Sequence, residues 1–176
     1  MAADGPSCAV IGAGAWGTTL AMLLSKAAPV TLMARDEAHA ATLRADGENR
    51  HYLPGVPLDE HISVTADPAA LTAATELVVF AVPSRAMRST AASVAPALPR
   101  SAVLVSVAKG IEAGSLLRMT EVIASEVPGA AGRVAALSGP NLALEISRGL
   151  PAAAVVGAAH DDVSRRAVEI LGGRTF

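Results

Sequence analysis

The sequence predicts an α/β fold, a mostly parallel sheet with helices on both faces. Three observations carry that reading. Aliphatic runs of strand length alternate with amphipathic segments and are joined by short loops. The chain is 52% apolar but only 2% aromatic, so its core is built from Ala, Val, Leu and Ile, as in strands buried on both faces. A glycine-rich turn, "GAGAWG", separates the first aliphatic run from the first helical one.

The elements follow in order. "CAVI" from Cys8 is a strand, and Trp16, Leu20, Leu23, Leu24 and Ala27 then recur at helical spacing. Pro29 precedes the strand "VTLMA". Residues 36–46 are expected to be helical, with acids in the first turn favouring the helix dipole. Pro54, Gly55 and Pro57 mark a loop before the strand "ISVTA" at 62–66. Asp67 and Pro68 suit the N-cap and first position of a brief helix.

"LVVFAVP" at 77–83 is a buried strand, with a helix expected from about Arg85 to Val94. "AVLVSVAKG" at 102–110 is another strand, followed by a helix near 115–125. "VAALSGP" is a strand running into a turn, and a helix is expected from about Asn141. Pro151 opens the strand "AAAVVGA", and a last helix covers 161–171. At 176 residues this is one domain with a proper core.

The bulk numbers narrow the function classes. A net charge of −2 gives no electrostatic footprint for nucleic acid or anionic lipid. Cys8 is the single cysteine and reads as a small core hydrophobe. His39, His51, His61 and His160 show no ligand spacing, so no metal is expected. Gly5 to Ser25 is free of charge, but four glycines, two threonines and the preceding Asp4 argue against a signal or a membrane span. A cytoplasmic location is the expectation.

The turn carries the chemistry. Gly12, Gly14 and Gly17 stand in G-x-G-x-x-G spacing between a strand and a helix, the context that marks a Rossmann-type, doubly wound dinucleotide fold. Gly12 permits the tight turn, Gly14 lets the backbone approach a pyrophosphate, and Gly17 lets the helix pack on the strand. The helix start offers unpaired N–H groups to the phosphates. A glycine turn that only packs is the competing reading.

At the end of the second strand stands Arg35, where an acid would bond the ribose hydroxyls. An arginine there pairs with a 2′-phosphate or stacks on adenine, while Asp36 is placed to reach a ribose, so NADPH and NADH both remain open. A solvated surface arginine is the rival. Trp16, in the turn, packs under the cofactor or anchors the helix face.

Lys109, one of two lysines against twelve arginines, closes a buried strand at the end where ligands gather in open α/β sheets. Such a cation can bond a carbonyl oxygen and stabilise the alkoxide formed as hydride arrives; a lysine reaching solvent is the alternative. In "LSGPNLALEI", Gly139 can cap and Pro140 can open a helix, and Asn141 offers an amide to a substrate hydroxyl; an ordinary well-capped turn is the rival.

Taken together, "VIGAGAWGTTLA", "YLPGVPL", "FAVPSRAMR", "SVAKGIE", "LSGPNLALEI" and "GLPAAAVVGA" resemble the bacterial NAD(P)-dependent glycerol-3-phosphate dehydrogenases over nearly the whole chain. The resemblance implies NAD(P)H-dependent interconversion of dihydroxyacetone phosphate and sn-glycerol 3-phosphate for phospholipid synthesis, in a cytoplasmic enzyme that is usually a homodimer. It implies that Ala15, Trp16, Arg35 and Ala143 contact the cofactor, that Lys109 is shared by cofactor and substrate, and that Gly139 and Asn141 serve the substrate.

Two positions depart from the family. Ala15 stands where a serine is usual, losing a hydroxyl near the phosphates, and Asn141 where serine or threonine is common. The family also continues past "GGRTF" into an all-helical domain that carries the general acid/base lysine, its aspartate and the substrate-phosphate grip. Residues 1–176 are thus expected to be the NAD(P)-binding domain, nearly inactive alone. Two other readings stand beside this one. The first is a stand-alone NAD(P)-binding module without chemistry. The second is another reductase of this fold, such as a ketopantoate or hydroxyacid enzyme.

Overall fold

The structure, a computed structural model, describes residues 7–173 and Phe176; Asp4 lies outside the described residues. Seven strands form one sheet: β1 (Cys8–Ile11), β2 (Val30–Met33), β3 (Ile62–Thr65), β4 (Leu77–Phe80), β5 (Val103–Ser106), β6 (Val134–Ser138) and β7 (Val155–Ala158). Their order is β3-β2-β1-β4-β5-β6-β7, parallel throughout except for β7, which runs antiparallel to β6. The helices are α1 (Ala15–Leu24), α2 (Glu37–Asp46), α3 (Ser84–Val94), α4 (Met119–Glu126), α5 (Ala143–Ser147) and α6 (Asp161–Leu171). The mostly parallel α/β reading holds.

Strand alternation divides the core in two. Cys8 and Val10 of β1, Leu77 and Val79 of β4, and Val103 and Val105 of β5 face α1, α2 and α6 through Leu20, Leu24, Leu43 and Ala167. Ala9, Ile11, Val78, Phe80 and Leu104 face the other way, onto Met87 and Ala91 of α3 and Ile123 of α4. β1, β4 and β5 are buried along their whole length, which is why they read as continuous aliphatic runs. Each fully buried aliphatic side chain contributes about 1.5–3 kcal/mol. Cys8 sits within this core, and burial pushes its thiol up to about 11, the behaviour of an inert hydrophobe.

Local signals explain the element ends. Asp36 caps α2 by accepting from the His39 N–H at 2.8 Å, and Gly47 ends that helix in the left-handed conformation. Asp67 accepts from Ala69 N–H and Pro68 opens a 3₁₀ turn (Pro68–Ala73).

Two expected helix starts need correction. The helix expected near 115–125 begins at Met119. The preceding segment is a closed loop with an Ile111–Arg118 bridge and Leu116 at φ 60°, a conformation no helix admits. The helix expected from Asn141 begins at Ala143 after an extended Leu142, so Gly139 is no cap and Pro140 no first helical residue. β7 is likewise shorter than the run after Pro151.

Candidate functional site

The sheet order reverses between β1 and β4, so the crevice beyond their carboxyl ends is the topological switch point of the fold. A cleft of about 560 Å³ opens there, lined by the turn from Gly12 to Gly17, by Ala81, Val82 and Pro83 after β4, and by Val107 after β5.

The three glycines have three different surroundings. At Gly12, φ is +109° and a Cβ would lie 2.6 Å from the Ala81 carbonyl oxygen, so only glycine turns the chain here. At Gly17 a Cβ would lie 1.8 Å from the Gly12 oxygen and 3.1 Å from the Ala81 Cβ; its missing side chain is what seats α1 on the sheet. At Gly14 a Cβ would meet nothing within 4 Å, because this residue faces the open cleft.

Gly14 is the N-cap of α1, and Thr18 N–H is the first to bond back along the helix, to the Gly14 carbonyl at 2.9 Å. The amides of Ala15, Trp16 and Gly17 therefore precede the helix ladder and carry the positive end of its dipole. No acidic residue sits in that first turn to compete for them. Backbone donors, bare glycine surface and helix dipole together suit a dinucleotide pyrophosphate, and this donor set does not depend on the hydroxyl that Ala15 lacks.

The rim of the cleft carries Arg35, with His39 and Tyr52 beside it. The Arg35 side chain is 77% exposed and bonds Asp36 at 2.9 Å. Asp36 does not line the cleft: one of its oxygens caps α2 and the other takes Arg35. The His39 amide and then the Arg35 guanidinium hold its carboxyl below the usual carboxylate range. Tyr52 stacks edge-on with His39 and His51, at ring separations of 5.8 and 4.4 Å. His39 and Tyr52 were missed by sequence reasoning. The available signal was a lone tyrosine, the only one in an aromatic-poor chain, placed in a loop.

A second, smaller cleft of about 220 Å³ brings together Trp16, Val107, Lys109, Ser138, Gly139 and Asn141. It shares Trp16 and Val107 with the first, so the two clefts adjoin at the sheet's carboxyl edge. Trp16 is half-buried, packs on the core and meets Phe176 edge-on, so both of its expected roles fit its position.

Lys109 Nζ donates to the Gly139 carbonyl at 3.4 Å. Its loop is tethered by Arg88 of α3, which grips both Glu112 oxygens at 2.8 and 2.7 Å and also bonds Glu126 of α4. That bidentate pairing, with the Ser115 hydroxyl, lowers the Glu112 carboxyl to about 2. Gly139 leaves no room for a side chain, since a Cβ would lie 2.5 Å from the Ala153 oxygen. Asn141 Oδ1 is buried with no hydrogen-bond partner among the described residues. Ala143 lies in neither cleft; its carbonyl is 3.2 Å from the Thr19 hydroxyl, where α5 packs on α1.

A larger groove of about 670 Å³, between α4 and the β6–β7 edge, has six alanines in its lining beside Arg118, Thr120 and Glu121, and lies off the switch point. Among the described residues no cluster of His, Cys, Asp and Glu is placed to hold a metal ion, and no helix is long and apolar enough to cross a membrane.

The comparisons with known proteins agree on one relationship. Residues 7–164 match the model for the NAD-dependent glycerol-3-phosphate dehydrogenase N-terminus. Glycerol-3-phosphate dehydrogenase [NAD(P)+] of Corynebacterium glutamicum is 50% identical over 151 residues, covering 85% of this chain and 46% of that protein. The Moorella thermoacetica enzyme of the same name is 45% identical over 171 residues, 97% of this chain and 50% of its own length. The crystal structure of glycerol-3-phosphate dehydrogenase from Coxiella burnetii superposes with a TM-score of 0.86 at 33% identity, over 97% of this chain and 52% of that one. A ketopantoate reductase from Ralstonia eutropha reaches only 0.60 at 28% identity, over 76% of this chain and 41% of its own. This chain spans about half the length of the curated relatives it matches. With the match running from the first strand into the last helix, the chain belongs to the family of NAD-dependent glycerol-3-phosphate dehydrogenase N-terminal domains.

Proposed function

We propose that this chain is the coenzyme-binding domain of an enzyme that interconverts dihydroxyacetone phosphate and sn-glycerol 3-phosphate with NAD(P)H. The observation that carries the reading is that the two clefts adjoin, with Trp16 and Val107 lining both. The free amides of α1 open onto the first, Lys109 and the orphaned Asn141 acceptor onto the second, and Trp16 belongs to both.

The roles follow from position. Gly14, Ala15, Trp16 and Gly17 offer backbone donors to the pyrophosphate, and Gly12, whose own N–H is taken by the Met33 carbonyl, makes the turn that allows its close approach. Arg35 takes the adenosine end, and as an exposed cation accepts either a 2′-phosphate or an adenine face. Lys109 directs its ammonium at the substrate carbonyl oxygen, and stabilises it as negative charge develops there. Asn141 accepts a hydrogen bond from a substrate hydroxyl, and Gly139 supplies the close backbone approach beside it. Ala143 acts through α5, which backs α1 at Thr19. When bound, the coenzyme supplies the hydride. Proton delivery and the grip on the substrate phosphate fall to a helical domain of the kind the family carries, and with it the protein works as a cytoplasmic homodimer feeding phospholipid synthesis.

The test is direct. The chain is titrated with NADH and NADPH by fluorescence, and the enzyme that carries this domain is assayed with dihydroxyacetone phosphate and with ketopantoate. Binding of coenzyme and turnover of the triose phosphate alone are expected. Turnover of ketopantoate in preference would overturn the substrate assignment.

A further inference from the structure

Asn49 is 1% exposed and lies in the turn that follows α2, three residues before Tyr52 and in the lining of neither cleft. A buried side-chain amide must be hydrogen-bonded on both ends, and this one is. Its Nδ2 donates to the Ala13 carbonyl at 3.0 Å and to the Thr18 hydroxyl at 2.8 Å. Its Oδ1 accepts from the Tyr52 N–H at 3.3 Å, and its backbone carbonyl accepts from Leu53 N–H at 2.7 Å. One side chain thus joins the glycine turn, the first turn of α1 and the loop that presents Tyr52 to the cleft.

The Ala13 contact has the larger consequence. Ala13 lies between Gly12 and Gly14, two residues with little steric restraint on the peptide they flank. A trans peptide holds its C=O and N–H antiparallel. With the Ala13 oxygen fixed toward Asn49, the Gly14 N–H is sent away from Asn49, in a turn whose residues Ala13 and Gly14 both line the cleft. A rotated peptide would instead turn a carbonyl oxygen toward an anion. Nothing else among the described residues bonds that carbonyl.

We propose that Asn49 is a positioning residue for coenzyme binding. It fixes the 13–14 peptide so that Gly14 N–H donates to the pyrophosphate, and it sets Tyr52 at the adenosine rim. The assignment rests on coenzyme binding in the first cleft. Asn49→Asp tests it: the side chain is nearly isosteric and keeps its acceptor for Tyr52, but loses both donors to the turn.

The measurement uses the ¹⁵N-labelled chain with ADP and NADPH as probes. In the unsubstituted chain the Gly14 amide resonance moves when ADP is added. In Asn49→Asp the spectrum stays dispersed, the Gly14 response is lost and NADPH affinity falls about tenfold or more, as expected for a buried hydrogen bond left unmade. Thr18→Ala keeps the Ala13 bond and stays within about threefold. A folded Asn49→Asp with unchanged affinity and an unchanged Gly14 response would overturn the assignment while leaving coenzyme binding intact.

Should Asn49→Asp not fold, the unsubstituted chain decides. Asn49 side-chain amide signals that move together with Gly14 on adding ADP support the role, and signals that stay fixed while Gly14 moves refute it. A chain that binds neither probe sinks the coenzyme reading and this assignment with it.

Discussion

Alanine at Gly17 and alanine at Gly14 separate the two duties of the glycine turn. At Gly17 the added carbon would sit 1.8 Å from the Gly12 oxygen, a backbone atom that no rotamer change can move aside. Overpacking of this kind costs about 1–3 kcal/mol, and so short an approach belongs at the upper end. Alanine also gains about 1 kcal/mol over glycine inside a helix, leaving a net loss of about 2 kcal/mol. For a domain of this size that is a fall in Tm of roughly 4–8 °C.

At Gly14 the added carbon meets nothing within 4 Å, and φ is an ordinary −82°. A small loss in capping and a small gain from a stiffer unfolded chain nearly cancel, so Tm should move by less than about 2 °C. The same methyl protrudes into the cleft, and coenzyme affinity should fall about tenfold or more. Thermal unfolding of both variants, with NADPH titration by fluorescence, checks the contrast. A Gly14→Ala chain that binds coenzyme as tightly as the parent would refute the reasoning, as would a Gly17→Ala chain of undiminished Tm.

Three further outcomes are expected. Arg35→Asp should shift preference from NADPH toward NADH, because an acid repels a 2′-phosphate and bonds ribose hydroxyls; equal affinity ratios before and after would remove Arg35 from coenzyme choice. Arg88 holds the Glu112 carboxyl down from 4.5 to about 2, so the stability this pair contributes is complete above pH 4.5 and is lost as pH falls toward 2. Arg88→Ala should therefore flatten the decline of Tm across that window, and parallel acid limbs would contradict the pairing. In the enzyme that carries this domain, Lys109→Ala should lower kcat/KM far more than it weakens coenzyme binding; normal turnover would exclude the lysine from the chemistry.

Most of the sheet was legible because burial on both faces writes β1, β4 and β5 as uninterrupted aliphatic runs, and the glycine spacing located the switch point beside them. What was not legible depended on contacts distant in sequence. Leu116 and Leu117 continue an apolar helical pattern, yet the Ile111–Arg118 bridge and the Arg88–Glu112 pair hold that stretch as a loop. Pro140 and Asn141 look like a helix start, but the chain bends at Gly139 and Pro140, enters the helix only after an extended Leu142 and leaves Asn141 at the cleft. Asn49 reads as an ordinary turn residue until its partners at 13 and 18 are known. Tyr52 and His39 likewise needed the fold to bring them to Arg35.

Ala81 is the point where the two halves of the sheet and α1 touch, since it bounds the space at both Gly12 and Gly17. That junction admits no added atom, whereas Arg35 and Tyr52 at the rim are 77% and 40% exposed. On the proposed role of the rim, coenzyme choice is separable from folding: its exposed residues can be replaced one by one while the junction stays frozen.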